Sequence, residues 1–195
     1  MMKRHLIAAA VLSAACAGAF AQAGAGTVQR DVNQQQRIEQ GLQSGQLSTG
    51  EAAKLEKEES RVEHMQARDM KDGKLSDAER ARLNAAQNKV SSDIAAAKHN
   101  DVTGNPNSAS SRRMQADVQR NINQQQRIEN GVKSGALTTR EAGKLERGQA
   151  HVDHKEYVAG RDGHVGANEQ ANVQRTENRQ SRRIYRQKHD AQVRG

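Results

Sequence analysis

Arginines recur near the carboxyl end of the chain at a spacing that suits anion binding. If this segment is a helix, its residues advance by about 100° each, and the arginines cover much of one side. Their guanidinium groups can then bind phosphate or carboxylate groups bidentately. The candidate anion-binding residues are Arg175, Arg179, Arg182, Arg183 and Arg186. The segment lacks the aromatic side chains that stack on bases, so we expect no specific nucleic-acid partner. The alternative is a solvated helix whose charge serves solubility.

Two histidines form a second candidate site. His151 and His154 lie one helical turn apart, and Asp162 and His164 follow them. Imidazoles at this spacing can share a transition metal. We favour solvated histidines, because an internal repeat places Arg61 where His151 stands, and we predict no metal ligands and no cofactor. The chain also has no nucleophile elbow, phosphate loop or metalloprotease helix. We therefore expect a protein that is not an enzyme.

A short pattern of turn residues occurs four times. It consists of Ser or Asp, a glycine, an aliphatic residue two positions later and a glutamate four positions beyond that. The copies span residues 44–51, 72–79, 134–141 and 162–169. The glycine suits the left-handed position just past a helix C-terminus. In the first two copies the serine and glutamate are spaced as a capping box. Each copy thus predicts a helix end followed at once by a helix start.

The same turns resemble the EF-hand calcium loop, which has glycine at position six, an aliphatic residue at eight and a bidentate glutamate at twelve. The matching residues of the second turn are Asp72, Gly73, Leu75 and Glu79. Arg68 and Met70 stand at positions one and three, where the family has oxygen ligands. The resemblance implies Ca²⁺-like binding at the Asp-Gly turns, helped by the acidic helix before them. Capped helix hairpins explain the same residues without a metal.

An internal duplication sets the architecture. Residues 28–100 align without a gap with residues 118–190, at an offset of 90 positions. The turns divide the first copy into helices at roughly 28–43, 49–68 and 77–98, and short connections make neighbouring helices antiparallel. We predict an all-α protein of two related three-helix antiparallel units, joined by a linker over 101–117. We expect loose packing in the second unit, because its middle helix contains three glycines, each of which costs about 1 kcal/mol.

Two glutamines and a charged run interrupt the apolar residues of the predicted helices. Gln35 and Gln125 fall on the apolar side of the first helix of each copy, where a polar residue can set register or oligomeric state. We nevertheless expect ordinary helix surface. The middle helix has Ala52, Leu55 and Val62 with a run of charge between them. Aromatic residues make up only 2% of the chain, so each unit buries a small core and should be marginally stable.

The amino terminus carries the pattern of an export signal over residues 1–21. Two basic residues precede an apolar stretch at 6–15, and Ala19-Phe20-Ala21 forms a small-x-small cleavage site. The apolar stretch is too short to span a bilayer, so we expect no transmembrane segment. Cys16 follows small residues and resembles a lipoprotein cleavage site, which leaves lipidation as an alternative. We predict a periplasmic or secreted protein.

The pattern Arg-Ile-Glu-x-Gly-x-x-Ser-Gly-x-Leu, with a later Asp-Gly-x-Leu-x-x-x-Glu-Arg, is similar to a group of small exported helical proteobacterial proteins of uncharacterised activity. The resemblance covers most of residues 28–100 and the first half of the second copy. It implies export and a helical fold, and no activity. We expect a non-enzymatic envelope interaction or stress-associated module, which binds an anionic envelope component or a protein partner through its basic C-terminal helix. The alternative is a divalent-cation binder.

Overall fold

The structure, a computed structural model, describes the backbone of residues 15–190 and the side chains of residues 24–190. Within this part the chain forms six α-helices, a 3-10 turn at Met70–Asp72 and no strand. The helices are α1 (Ala15–Ser44), α2 (Thr49–Asp69), α3 (Asp77–Lys98), α4 (Ala109–Ser134), α5 (Thr139–Gly160) and α6 (Ala167–Lys188). The all-α prediction is confirmed. Residues 1–14 of the predicted export signal lie outside the described residues, so export stays a prediction.

The four repeated turns have the predicted local chemistry. Their glycines adopt positive φ angles, at Gly45 (78°), Gly73 (92°), Gly135 (83°) and Gly163 (87°). Capping boxes close the N-termini of α2, α3 and α5. At α6 the cap residue is Gly166, whose backbone N–H donates to the Glu169 carboxylate at 2.7 Å. Each turn therefore reverses the chain and begins the next helix in a few residues.

The two copies pack face to face through their first two helices. α2 packs against α5 and α1 against α4, and these are the most extensive helix contacts of the described chain. α3 lies outside on α1 and α2, and α6 lies outside on α4 and α5. The Ser60 hydroxyl donates to the Ala150 carbonyl at 2.8 Å, and these residues are equivalent in the duplication. The two copies are therefore related by an approximate twofold axis that passes between α2 and α5.

The interior alternates between apolar and polar layers along the bundle. One apolar cluster includes Ile38 and Leu55 of the first copy with Met114 of the second. The other includes Met70 of the first copy with Leu145 of the second. Residues of both copies thus contribute to each cluster. The helix segments between the two clusters carry buried polar side chains, and they form a polar layer across the centre of the bundle.

α4 begins earlier than the sequence predicts, inside the segment assigned as a linker over 101–117. Ser108 caps this helix by accepting the Ser111 backbone N–H at 3.0 Å. Met114 is fully buried in one of the apolar clusters, so packing against the first copy extends the helix beyond the repeated region. The connection between the two copies is correspondingly shorter.

Gly143 lies where α5 touches the end of α2. A Cβ at this position would lie 2.8 Å from the Cβ of the buried Met70. Alanine normally stabilises a helix by about 1 kcal/mol relative to glycine. Here we expect Gly143→Ala to lower the unfolding free energy by about 1–3 kcal/mol, the usual cost of overpacking. Gly26→Ala is the matched control, because no atom lies within 4 Å of its added Cβ. Urea denaturation measures the unfolding free energy of both variants. If the two changes stabilise the protein equally, the close contact between position 143 and Met70 is contradicted.

None of the described helices carries an apolar stretch long enough to cross a membrane.

Candidate metal centre

Acidic side chains concentrate in the polar layer between the two apolar clusters. Seven carboxyl groups of α1, α2 and α5 there are at most 1% exposed. They are Asp31 of α1, Glu56, Glu59 and Glu63 of α2, and Glu146, Asp153 and Glu156 of α5. None of the ion pairs found among the described residues includes any of the seven. The interior therefore holds a group of acids without a paired basic side chain.

Neutral amide groups supply the hydrogen-bond donors of this layer. Gln35 Nε2 donates to Glu56 at 2.7 Å, and the equivalent Gln125 Nε2 donates to both Glu63 and Glu146. Gln87 of the outer helix α3 donates to Asp31, also at 2.7 Å. A neutral donor orients a carboxylate but adds no positive charge. The layer therefore has no basic hydrogen-bond partner among the described residues, and Arg30 lowers the pKa of Asp31 only as the weakest of several influences.

The duplication exchanges acid and amide across the approximate twofold axis. Asn121 of α4 donates to Glu156 of α5 at 2.9 Å. The equivalent residues of the first copy are Asp31 and Gln66, and there Gln66 donates to Asp31 at 2.7 Å. Each pair keeps one carboxylate and one amide, although the helix that carries the acid changes. Both copies therefore keep a hydrogen-bonded pair of one acid and one amide, but the acid lies on α1 in the first copy and on α5 in the second.

Glu59 departs from this balance. Its counterpart Gln149 donates to Asn121 at 3.3 Å, whereas no described donor reaches either oxygen of Glu59. Glu59 is 0% exposed. Its charge is opposed by Asp31, Glu56 and Asp153. Glu59 is thus a fully buried carboxyl group that no described donor satisfies and that other acids repel.

Burial dominates the protonation equilibria of the layer. Desolvation raises the pKa of Asp31 and of Asp153 to about 7. Desolvation, followed by repulsion from Asp31 and Glu56, raises the pKa of Glu59 well above its usual range. Two unit charges about 5 Å apart repel by roughly 3 kcal/mol at an effective dielectric constant of about 20. Full ionisation at neutral pH therefore requires compensation by a cation.

Three of the carboxyl groups are arranged so that one ion could touch all of them. One oxygen from each of Glu56, Asp153 and Glu156 lies within 4.8 Å of the others. The group contains oxygen ligands and no imidazole or thiolate. Carboxylate and amide oxygens suit Mg²⁺, Ca²⁺ and Mn²⁺, whereas softer metals prefer nitrogen or sulfur. Asp31 and Glu59 are not members of this group, but both interact with it electrostatically.

The turns that resemble EF-hand loops use their acidic residues differently. The Glu79 carboxylate accepts the Ser76 backbone N–H at 2.8 Å, and the Asp72 side chain accepts the Lys74 N–H at 3.1 Å. Met70 is fully buried. These side chains therefore stabilise the turn and the start of α3. The described geometry favours capped hairpins at the turns and places the grouped carboxylates in the interior.

The candidate histidines lie apart from the acidic layer. His151 and His154 are exposed on α5, and the His154 ring lies 6.0 Å from that of Tyr157. Neither histidine belongs to the group of potential metal ligands found among the described residues. The arginines proposed for anion binding are likewise on the outside, exposed along α6.

Sequence reasoning named the acidic helix α2 only as an aid to the Asp-Gly turns and predicted no buried acids. The expectation that Gln35 and Gln125 lie on ordinary helix surface is wrong, since both are buried donors to carboxylates. Their position on the apolar side was the available signal. A second signal was helical spacing, because acids three, four and seven residues apart share one side of a helix. The residues that follow this spacing are Glu56, Glu59 and Glu63 in the first copy and Glu146, Asp153 and Glu156 in the second.

Comparison of the chain with protein-family models, curated proteins and solved structures finds no match.

Proposed function

We propose that this protein binds an oxygen-preferring divalent cation in the polar layer at the centre of its bundle. The observation that carries the proposal is Glu59, which is fully buried, receives no hydrogen bond from the described chain and faces other carboxyl groups. A buried carboxyl group normally stays protonated, finds a partner or coordinates a metal. Glu56, Asp153 and Glu156 provide the closest set of ligands.

The choice of a hard divalent cation follows from the ligands. Mg²⁺, Ca²⁺ and Mn²⁺ accept carboxylate and amide oxygens, and Ca²⁺ tolerates the irregular geometry that helix side chains offer. Gln35 and Asn121 already hold the carboxylates of Glu56 and Glu156 in place. Such outer contacts orient ligands and typically contribute about 10–100-fold to metal affinity. The role is one of binding and requires no catalytic step, in keeping with the expectation of a non-enzymatic exported protein.

Direct binding of Mn²⁺ tests the proposal. Chelator-treated protein should bind Mn²⁺ at pH 7.5 in equilibrium dialysis followed by electron paramagnetic resonance, with Ca²⁺ and Mg²⁺ as competitors. Glu156→Gln should weaken binding by about tenfold or more, since it removes a ligand. This change places in the second copy the glutamine that the first copy has at position 66. The ligands are buried, so the ion must enter by transient opening of the helices, and the dialysis must reach equilibrium.

The control variant changes the exposed Asp-Gly turns. Asp72→Asn with Asp162→Asn removes the aspartates of the two Asp-Gly turns and leaves the interior intact. It should retain the affinity for Mn²⁺. Loss of binding in this variant and retention in Glu156→Gln would move the site to the turns. Absence of binding in the unmodified protein would refute the interior site.

A further inference from the structure

The second copy carries a basic surface that the first copy lacks. The α6 arginines 175, 179, 182, 183 and 186 are all exposed, and none takes part in an ion pair with another described residue. The equivalent residues of α3 are Ala85, Lys89, Ser92, Asp93 and Ala96. Lys89 and Asp93 there neutralise each other in an ion pair. The positive charge is therefore specific to one side of an otherwise duplicated molecule.

Lysines of α5 widen this surface. Lys155 lines the same shallow groove as the first two arginines, and Lys144 lines another groove with Arg183 and Arg186. We call this surface the basic face. It consists of Lys144, Lys155, Arg175, Arg179, Arg182, Arg183 and Arg186. Two adjacent helices thus contribute cations to one continuous area.

Neighbouring ionisable groups do not neutralise the basic face. Partial burial, then the charges of Lys155 and Arg179, lower the pKa of His151, so this histidine adds little positive charge at neutral pH. Glu169 also lines one groove, but its carboxylate accepts the Gly166 N–H at the start of α6. The face therefore retains a surplus of cations that an external anion can meet.

The shape of the basic face favours a flat partner. Packed helices lie about 8–10 Å apart and each is about 10–12 Å wide, so a two-helix face exceeds the roughly 12 Å width of the DNA major groove. Val173 and Ile184 of α6 are buried in the bundle, which leaves no apolar side for deep insertion. Tyr185 is 59% exposed beside Arg182 and Arg186, and tyrosine is typical of the membrane–water interface.

We propose that the basic face docks the protein peripherally on a bilayer that contains anionic phospholipid, through contacts of guanidinium and ammonium groups with lipid phosphates. Arginine binds phosphate bidentately, and each basic residue near such a surface strengthens binding by about fivefold. The inference is independent of cation binding in the interior. It is also consistent with the predicted export, which would bring the chain to the envelope.

Vesicle co-sedimentation tests this docking. The full chain should bind vesicles of phosphatidylglycerol and phosphatidylcholine but not vesicles of phosphatidylcholine alone, and binding should fall steeply between about 50 mM and about 500 mM salt. Arg179→Gln with Arg183→Gln should weaken binding by about 30-fold, as expected for two independent charges. Arg61→Gln with Arg112→Gln removes the same charge from exposed sites outside the face, and should lose less than about threefold.

Several results would overturn the proposal. Equal losses in the two double variants would show that net charge alone drives binding. Equal binding to neutral and anionic vesicles would exclude phosphate recognition. Tighter binding of duplex DNA, weakened by the same two changes, would assign the face to nucleic acid. Circular dichroism melts of each variant establish that the helices remain folded in every arm.

Discussion

Replacement of Glu59 with glutamine should stabilise the cation-free protein and remove its response to cations. In the second copy the equivalent Gln149 donates to Asn121, and a glutamine at position 59 can donate to Asp31 in the same way. Removal of a buried unpaired carboxylate should raise the unfolding free energy at pH 8 by about 1–3 kcal/mol. Added Ca²⁺ or Mn²⁺ should raise the melting temperature of the unmodified protein by several degrees and that of Glu59→Gln far less.

Glu58→Gln is the matched control, because the adjacent Glu58 interacts mainly with Asp93 and Lys89 of α3, and it repels Glu59 less than Asp31, Glu56 and Asp153 do. It should keep the full response to cations. Thermal melts in chelator and in millimolar Ca²⁺ measure both quantities for the three proteins. If Glu59→Gln destabilises the cation-free protein and keeps the cation response, Glu59 has an unseen donor and is not part of the site.

The cation-free protein should lose stability as the pH rises from about 4 to about 8. A carboxyl group with a raised pKa in the folded state binds more protons when folded than when unfolded, so its stabilising contribution is complete below the unfolded pKa of about 4. It is lost as the pH rises through the folded value, which is about 7 for Asp31 and Asp153. Each such group contributes up to about 1.4 kcal/mol per pH unit. Protonated neighbours such as Glu56 and Glu156 can also hydrogen-bond to each other.

Urea denaturation in chelator at several pH values measures this loss, and saturating Mn²⁺ should flatten the profile above pH 6. Burial also raises the pKa of Asp117 to about 7 and that of Glu177 to about 8, and these groups act in the same direction. The remaining shifted groups act in separate ranges or more weakly. Hydrogen bonds from Ser76 lower the pKa of Glu79, so that group loses stability only as the pH falls below about 4. Partial burial lowers the pKa of His64 and of His151, which opposes the trend weakly near pH 6. Stability that increases between pH 5 and pH 8 in chelator would contradict a dry, acidic interior.

Local structure was accessible from the sequence because it depends on neighbouring residues. Glycine at a left-handed position and a glutamate three residues after a serine fix the ends of helices, and the predicted bounds 49–68 and 77–98 agree with α2 and α3 within one residue. The duplication likewise predicted two three-helix units.

The interior could not be deduced in the same way, because it depends on contacts between the two copies. Taken alone, the charged run of α2 looks solvated, and only the packing of α5 on α2 buries Glu56, Glu59 and Glu63. The glycines of α5 weaken an isolated helix, yet Gly143 and Gly160 permit its close approach to α2. Residues that appear unfavourable within one unit are explained by the neighbouring unit.

The approximate twofold axis also governs how the charge of the interior can change. If two identical chains met on this axis, every substitution would occur twice, and the number of buried acids would always be even. The covalent join between the halves removes that restriction. The layer holds seven carboxyl groups of α1, α2 and α5, an odd number, because Asp31, Glu59 and Glu156 each have an amide at the equivalent position of the other copy. A single mutation can thus adjust the central charge by one unit, a step that no symmetrical dimer of identical chains can take.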